Sequence, residues 1–423
     1  MISPYRSPMW GLATTRWYPH KTQNYVNFIY DSDQFKYPMT YQELINAGIA
    51  YREQTEPEQS LACFGQAFII EPDSAAAFNN YGNTLREMGL PQRARPFLEH
   101  ACLLDPGMAT AQFNLAVTIL LAGDLKQGMQ HYESRWRFEH LNGMLPNFKQ
   151  PVWRGEDLTG KTIAVIGEQG HGDILQFSRF VAELRGYNPQ RICFQVGPAM
   201  TDLFASSSHF NGIDVFASTD TLPEFDTWSM LMSLPIGLGT DYQRLVSPLW
   251  YIEAPKGSVR AWQERLGPKT RQRIGIGWSG RKDTWINRHK AVSFDHIVDL
   301  IKSNPEHQWI NLQVDASEEE NRQLAKLGVG QYPGTISSWG DTAGLLHHLD
   351  LYIGVDTAVT HLAGALGRPT WVMLNQYALD WRWLLDRDDS PWYPSAKLFR
   401  QPSRGDWAAV ISRITQYLGW WKN

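Results

Sequence analysis

Short apolar runs and amphipathic segments alternate along most of this chain of 423 residues. The apolar runs are separated by segments with helical spacing between residues 161 and 255, and again between 272 and 423. Strands that alternate with helices in this way pair in parallel. The predicted strands are 162–167, 191–196, 213–216, 273–278, 309–314, 351–355 and 370–374, with a helix at 174–184. The pattern predicts two Rossmann-like α/β domains that face each other across a cleft.

From about residue 41 to 140 the chain repeats itself with a period near 34 residues. The recurring positions are small at Gly48, Gly82 and Ala116, and large at Phe64, Leu98 and Tyr132. Small residues let paired helices cross closely, and this is the layout of tetratricopeptide repeats. Short arrays of this kind usually contact a protein or a peptide. A purely structural helical cap is the alternative.

The chain therefore divides into five predicted segments. They are an irregular N-terminal arm (1–40), tetratricopeptide repeats (41–140), a linker (141–160), an N-terminal α/β domain (161–260) and a C-terminal α/β domain (261–423). Open parallel sheets bind ligands beyond the carboxyl ends of their strands. The turns that follow the strands are therefore the candidate binding segments.

The most informative turn follows the predicted strand 351–355. Asp356 and Thr357 place a carboxylate and a hydroxyl where a helix should begin, and Ala358 follows them. The N-terminus of such a helix attracts an anion, because its N–H groups and the positive end of its dipole point there. An ordinary helix cap is the alternative.

This turn resembles the signature of the heptosyltransferase-like GT-B glycosyltransferases. The matching text is Val355-Asp-Thr-Ala358 and His361-Leu-Ala-Gly-Ala-Leu-Gly367. In that family the turn holds the pyrophosphate and sugar of a nucleotide-sugar donor. The resemblance therefore implies a donor site at Asp356, Thr357, Ala358 and His361. It also implies a GT-B fold, with the acceptor domain first and the donor domain second.

A glycine-rich turn, Gly167-Glu-Gln-Gly-His-Gly-Asp173, follows the first strand of the α/β region. It matches neither a Walker loop nor the usual dinucleotide fingerprint. Its Gly172-Asp173 resembles the Gly-Asp of heptosyltransferase-like enzymes, where the Asp is the proposed general base. The longer Glu-Gln-Gly-x-Gly-Asp-x-x-Gln-Phe is similar to bacterial tetratricopeptide-linked glycosyltransferases. The resemblance implies Asp173 as base, with Gly170 and Gly172 near the donor; a helix cap is the alternative, and His171 is a weaker base candidate.

Further candidates follow the strands 273–278 and 309–314. Several cations could neutralise a diphosphate, and the sequence does not rank them: Arg281, Lys282, Arg288 and Lys290. A solvated loop is the alternative. Ser279 lies beside them, and Gln313, in a Leu-Gln pair that resembles the Ser-Leu-Gln of the family, is expected to face the nucleotide. Lys290 stands where the family usually has Ser.

The segment 380–402 closely resembles the tetratricopeptide-linked members of the family. Trp381 or Trp383 is a candidate for stacking on a base or a sugar. Residues 386–389 are similar to the metal-binding Asp-x-Asp of another glycosyltransferase architecture, but their position in a late loop argues against that role. We therefore expect no metal and no cofactor, with the nucleotide sugar as co-substrate.

Composition narrows the class of protein. An apolar content of 43% with 19% charged residues is typical of a globular protein. The net charge of −4 gives no sign of non-specific nucleic-acid binding. We expect no membrane span, because no apolar run of 18 residues is present, and no signal peptide, because the N-terminus lacks a basic segment followed by an apolar one. Cys63, Cys102 and Cys193 follow no ligand spacing, so we expect buried thiols, a reducing compartment and a cytoplasmic protein.

Together these features predict a metal-independent GT-B glycosyltransferase, and the family implies inversion at the anomeric carbon. Heptosyltransferases use ADP-heptose on lipopolysaccharide core, whereas tetratricopeptide-linked O-GlcNAc transferases use UDP-GlcNAc on protein side chains. The repeats favour a macromolecular acceptor, protein or glycan, by architecture alone. Two alternatives stay open: a non-catalytic scaffold on a degenerate transferase fold, and a glycosyltransferase that modifies nucleic acid.

Overall fold

The structure, a computed structural model, describes residues 39–138, 143–245, 248–280, 285–332 and 334–421. Its contacts divide the chain into two compact units. Among the described residues, one contains 39–119 with 131–138 and 143–146, and the other contains 120–130 with the described part of 147–421. The predicted arm, 1–40, lies almost entirely outside the described residues.

The helical region, within the described part of the chain, is a series of helix pairs. The helices are α1 (Tyr41–Glu53), α2 (Pro57–Ile70), α3 (Ala75–Glu87), α4 (Pro91–Leu104), α5 (Ala109–Leu121) and α6 (Leu125–Tyr132). The first helices of the pairs begin at residues 41, 75 and 109, so both intervals are 34 residues (75 − 41 and 109 − 75). The predicted helical repeats are confirmed.

The recurring small and large residues contact each other in the first two helix pairs. A Cβ atom added to Gly48 would lie 2.6 Å from the ring of Phe64, and one added to Gly82 would lie 2.7 Å from Leu98. Glycine therefore lets these two pairs of helices pack at their crossing points without a clash. Proline at the first position of α2 and α4 also fits the pattern, since the first helical residue needs no N–H donor.

The α/β region begins with a parallel sheet in the strand order β3-β2-β1-β4. Its strands are β1 (Thr162–Ile166), β2 (Arg191–Val196), β3 (Ile213–Ala217) and β4 (Thr227–Met230). The helices of this part are α7 (His171–Phe177), α8 (Arg179–Glu183), α9 (Thr201–Ala205) and α10 (Leu234–Leu238). The glycine-rich turn joins β1 to α7.

A second parallel sheet follows, in the order β6-β5-β7-β8-β9. Its strands are β5 (Arg273–Gly277), β6 (Gln308–Asn311), β7 (Leu351–Val355), β8 (Thr370–Leu374) and β9 (Ala396–Arg400). The helices are α11 (Lys256–Leu266), α12 (Trp285–Lys290), α13 (Phe294–Ser303), α14 (Glu318–Lys326), α15 (Trp339–His347), α16 (Ala358–Ala365) and α17 (Trp407–Trp420). The parallel sheets predicted from the alternation of strands and helices are therefore confirmed.

The seven predicted strands are present, but some other elements differ from the prediction. β4 and β9 were not predicted: β4 (Thr-Trp-Ser-Met) is half polar although all of it is buried, and β9 mixes apolar and basic residues. The predicted helix 174–184 is divided at Ser178 into α7 and α8. The predicted strand 309–314 ends at Asn311, and Val314 is 80% exposed.

The register of the second sheet brings two of the candidate turns together. β5 lies between β6 and β7, so the chain changes direction across the sheet beside β5, and ligands of open α/β sheets bind at such a point. Gly277 pairs with Gly354, and Ser279 and Asp356 each follow two residues later. Both residues therefore leave the same edge of the sheet side by side.

The composition predicts no membrane span and buried cysteines. No helix among them is long and apolar enough to span a membrane. Cys63 and Cys193 are buried, whereas Cys102 is only partly buried. Burial raises the pKa of Cys63 and of Cys102 to about 11, so these thiols are poor nucleophiles at neutral pH.

Candidate functional site

The turn between β7 and α16 begins the candidate site. Thr357 is the N-cap residue, with extended backbone angles, and α16 begins at Ala358. The Thr360 hydroxyl donates to the Val355 carbonyl oxygen at 2.5 Å and ties the first turn of the helix to the strand. Thr357 makes no capping hydrogen bond with its side chain. The predicted capping position is therefore confirmed at Thr357, although its side chain accepts no hydrogen bond from the first-turn amides of α16.

The glycine-rich turn lies against the beginning of α16. A Cβ atom added to Gly172 would lie 3.0 Å from Cδ2 of His361 and 3.5 Å from Cα of Ala358. Glycine at position 172 therefore permits this close approach. The structure thus brings the predicted base turn and the predicted donor turn together.

Asp356 is a buried carboxylate with two basic partners. The ammonium of Lys290 donates to its Oδ2, and His361 Nε2 lies 3.4 Å from its Oδ1. The Asp356 and Lys290 side chains are only 6% and 11% exposed. Burial alone would raise the pKa of Asp356, but the charge of Lys290 and the contacts with His361 outweigh it and hold this pKa far below its ordinary value. Burial alone would lower the pKa of Lys290, but the carboxylates of Asp356 and Asp380 outweigh it and raise this pKa. Asp356 and Lys290 are therefore both ionised at neutral pH.

A series of alternating acidic and basic side chains connects the Asp356–Lys290 pair with the glycine-rich turn. Lys290 Nζ is 3.7 Å from Oδ2 of Asp380, and Arg382 Nη1 is 3.2 Å from Oδ1 of Asp380. Arg382 Nη2 in turn donates to Oδ1 of Asp173. We call the series Asp173, Arg382, Asp380, Lys290 and Asp356 the ion-pair chain. It connects the two turns through ionic contacts.

Asp173 has a structural partner for each of its oxygens. Oδ1 accepts from Arg382, and Oδ2 accepts from the Gly170 N–H at 2.9 Å. The capping role considered for Asp173 is therefore present in the structure. The side chain is still 22% exposed, and a carboxylate oxygen can accept more than one hydrogen bond. The geometry thus leaves room for a hydroxyl that would donate to Asp173.

His361 is held from both sides in one orientation. Its Nδ1 lies 2.9 Å from the Tyr393 hydroxyl, and its ring stacks on Trp383 with centroids 5.5 Å apart. Because the Asp356 carboxylate can only accept, Nε2 carries the proton towards it, and Nδ1 then accepts from Tyr393. Burial raises the pKa of Tyr393 well above its usual range, which keeps this hydroxyl protonated as a donor.

Gln313 fixes the turn that contains Ser279. Its Oε1 accepts from the N–H groups of Trp278 (2.9 Å) and Ser279 (3.0 Å). Its Nε2 donates to the carbonyl and the hydroxyl oxygens of Ser279, each at 3.0 Å. The observed role of this amide is therefore to shape the turn, and a direct contact with a nucleotide stays a prediction.

The four candidate cations differ in their positions relative to Asp356. Arg281 and Lys282 lie outside the described residues, and Arg288 is exposed on α12. Lys290, the last residue of α12, is the one that reaches Asp356. Among the described members of this group, Lys290 is therefore the cation at the turn between β7 and α16.

Two parts of the site were missed or misassigned from the sequence. Asp380 and Arg382 were not singled out, although charges set between tryptophans in Asp-Trp-Arg-Trp were a signal that could have been used. Trp381 and Trp383 are 3% and 1% exposed, so the idea that either stacks on a ligand is wrong. Trp381 instead packs under the Arg382 guanidinium, 4.4 Å from the ring centre, and Trp383 supports His361.

The acidic run 386–389 is occupied by local ion pairs. Asp389 pairs with Arg387 at 2.7 Å, and Asp388 pairs with Lys397 at 3.1 Å. Within the described ranges, no group of three or more His, Cys, Asp or Glu side chains is arranged to hold a metal ion. The expectation of metal independence stays a prediction.

Comparisons with known proteins give partial similarities. No family model matches the chain. Protein FlbA of Caulobacter vibrioides is 26% identical over 392 residues, which cover 85% of this chain and 64% of FlbA. A probable UDP-N-acetylglucosamine–peptide N-acetylglucosaminyltransferase, SPINDLY of Hordeum vulgare, is 30% identical over 96 residues, or 21% of this chain and 10% of SPINDLY. The chain therefore spans less than two thirds of either relative.

Among solved structures, the ADP-heptose lipopolysaccharide heptosyltransferase II of E. coli is similar to this chain. The match has a TM-score of 0.43 and 15% sequence identity. It covers 61% of this chain and 97% of the heptosyltransferase.

Proposed function

We propose that this protein is a metal-independent, inverting glycosyltransferase of the GT-B type, which moves a sugar from a nucleotide-sugar donor to a hydroxyl of a protein or glycan acceptor. The observation that carries the proposal is the meeting of two turns. The beginning of α16, with Lys290 beside it, lies against the turn that carries Asp173. Such a reaction needs an anion site for the leaving diphosphate and a base for the acceptor hydroxyl in the same site.

The donor side would bind the diphosphate through the first turn of α16. The amides at Thr357 and Ala358 and the positive end of the helix dipole favour an anion. Lys290 adds a full positive charge, held in a buried position where electrostatic interactions are strong. These groups would stabilise the negative charge that grows on the leaving nucleoside diphosphate. His361 and Asp356 would hold Lys290 at that place.

The acceptor side would use Asp173 as the general base. Asp173 takes the proton of the acceptor hydroxyl while the hydroxyl oxygen forms a bond to the anomeric carbon. The bond from that carbon to the diphosphate oxygen breaks, and its electron pair leaves with the nucleoside diphosphate. Attack on the face opposite the leaving group inverts the anomeric carbon.

The helical repeats would bind the acceptor. We assign them as tetratricopeptide repeats on the 34-residue spacing of the helix pairs and their glycine crossings. Repeat arrays of this type present extended surfaces to proteins and peptides. The limited similarity to SPINDLY, a probable peptide N-acetylglucosaminyltransferase, supports the same assignment. A protein acceptor is therefore the preferred form of the proposal.

The donor site is tested by placing a negative charge at its centre. Ala358→Asp puts a carboxylate at the first position of α16, where it favours the helix but repels a diphosphate. We expect UDP, GDP, ADP or their sugars to raise the melting temperature of the wild type and to have no such effect on Ala358→Asp. Ala358→Asn is the matched control, which has the same size without the charge and should still bind. Equal stabilisation of both variants would contradict this donor site.

The base is tested with Asp173→Asn, which keeps the size of the side chain and its hydrogen bond from Gly170. Transfer should fall by about 10² to 10⁴-fold, while nucleotide binding stays unchanged. Asp202→Asn, in the first turn of α9, is the control and should transfer at the wild-type rate. If the wild type bound no nucleotide at all, the non-catalytic scaffold would replace this proposal.

A further inference from the structure

The ion-pair chain joins two groups that the proposed reaction uses at different moments. At one end, Asp173 is partly neutralised, because Arg382 and Gly170 each occupy one of its oxygens. At the other end, Lys290 is shared between Asp356 and Asp380. Because both oxygens of Asp173 already accept a hydrogen bond, an acceptor hydroxyl has to share an oxygen with Arg382 or Gly170 unless the Arg382 contact loosens.

Arg382 is the branch point of the ion-pair chain. Its Nε donates to Gln176 Oε1 at 2.7 Å, which fixes one corner of the guanidinium. Nη1 lies 3.2 and 3.4 Å from the two oxygens of Asp380, and Nη2 donates to Asp173. The Arg382 side chain is only 8% exposed, so these carboxylates, not water, balance most of its charge. A small movement about Nε would shift the guanidinium from one carboxylate to the other.

A diphosphate at the beginning of α16 would compete with both carboxylates for Lys290. In the structure the Lys290 ammonium lies 3.7 Å from Oδ2 of Asp380. As Lys290 turns towards the diphosphate, Asp380 loses this cation. Asp380 is then balanced by Arg382 alone, so it attracts the Arg382 guanidinium more strongly and draws it away from Asp173. The charge of the donor would thus act on Asp173 through two intermediate residues.

We propose that Arg382 is a positioning residue that exchanges between Asp173 and Asp380, and that binding of a nucleoside diphosphate donor drives the exchange through Lys290. Asp173 becomes a competent base only after the donor has bound. The inference rests on the proposed function and adds an order to it, with the donor first and the acceptor second. The released Asp173 then takes the acceptor proton as the new bond to the anomeric carbon forms and the diphosphate leaves with its electron pair.

The experiment follows the Nε–H signal of Arg382 by NMR in the full chain labelled with ¹⁵N-arginine. The signal is assigned by its loss in Arg382→Lys. UDP, GDP or ADP is added, whichever raises the melting temperature. We expect the nucleotide to shift the Arg382 signal in the wild type. In Asp380→Asn, which keeps the shape of the side chain but removes its charge, the same nucleotide should bind and leave the signal unmoved.

A kinetic measurement separates this role from a structural one. In Asp380→Asn, Arg382 stays on Asp173, so kcat should fall about tenfold or more while the KM for the donor stays unchanged. The exchange is overturned, with the proposed function intact, if a bound nucleotide leaves the wild-type signal unmoved. An undiminished shift or an unchanged kcat in Asp380→Asn overturns it equally. If none of the nucleotides binds the wild type, the inference and the proposed function fall together.

Discussion

At the scale of single residues, the site depends on a buried ion pair that is fully compensated. Asp356 is held by Lys290 on one oxygen and by His361 on the other, and His361 is itself fixed by Tyr393 and Trp383. A buried charge is tolerated only with such partners. The pair therefore keeps a lysine charged in the interior, beside the beginning of a helix where an anion would bind.

Removing one member of this pair should be costly. Asp356→Asn leaves the Lys290 charge buried without its main partner, and we expect it to lower the free energy of unfolding by about 3–5 kcal/mol. The double variant Asp356→Leu/Lys290→Met removes both charges and should recover most of that loss. Urea denaturation monitored by tryptophan fluorescence measures both variants. Equal losses in the single and the double variant would contradict a charge-based explanation.

Because of the Asp356–Lys290 pair, we expect the free energy of unfolding to depend on pH in the acidic range. The folded pKa of Asp356 lies below its ordinary value of 3.8, so its contribution is complete above that value. As pH falls below about 4 towards the folded pKa, the contribution is progressively lost. The double variant lacks this group and should lose less stability between pH 5 and pH 2 than the wild type. Parallel acid profiles of the two proteins would show that the pair does not titrate in this way.

At the scale of elements, glycine at the helix crossings is the feature that the repeats depend on. Gly82→Ala gains about 1 kcal/mol of helix propensity, but its methyl group would lie 2.7 Å from Leu98. Overpacking of this kind costs about 1–3 kcal/mol, so the substitution should be destabilising overall. Gly419→Ala in α17 is the control, because a Cβ there meets nothing within 4 Å and should be neutral or stabilising. Melting temperatures that rose for both variants would contradict tight packing at Gly82.

Local patterns predicted those elements whose side chains repeat regularly. The fully apolar strand β7 and the 34-residue recurrence of small residues were both recognisable. β4 was not, because its burial on both faces depends on neighbours that are distant in sequence. Arg382 lies 206 residues from Gln176, its hydrogen-bond partner, and no short pattern could show that they meet. The candidate turns were therefore predictable, whereas the residues that link them were not.

At the scale of the whole molecule, the chain combines a helical unit and an α/β unit. If the repeats bind the acceptor, substitutions on their surface should change acceptor use and leave the donor site unaffected. Ile69 and Leu103 are suited to this test. They are 49% and 54% exposed and occupy the same repeat position, since 103 − 69 is 34.

We expect Ile69→Lys/Leu103→Lys to lower incorporation of labelled sugar into protein several-fold, because an apolar contact surface becomes charged. Hydrolysis of the donor by water should be unchanged. Trp420→Lys, at a similarly exposed position (66%) in the α/β unit, is the control. A loss of donor hydrolysis in the double variant would mean that the repeats support the catalytic unit and do not bind acceptors.

A crystal structure of the protein with a bound nucleoside diphosphate would test the donor site and the role of Arg382 together. We expect phosphate oxygens at about 3 Å from the Ala358 amide and from Lys290 Nζ. We also expect Arg382 closer to Asp380 than to Asp173, with the Asp173 carboxylate facing the space that the donor sugar would occupy. A nucleotide bound away from the beginning of α16, or one whose phosphates do not contact Lys290, would contradict this expectation.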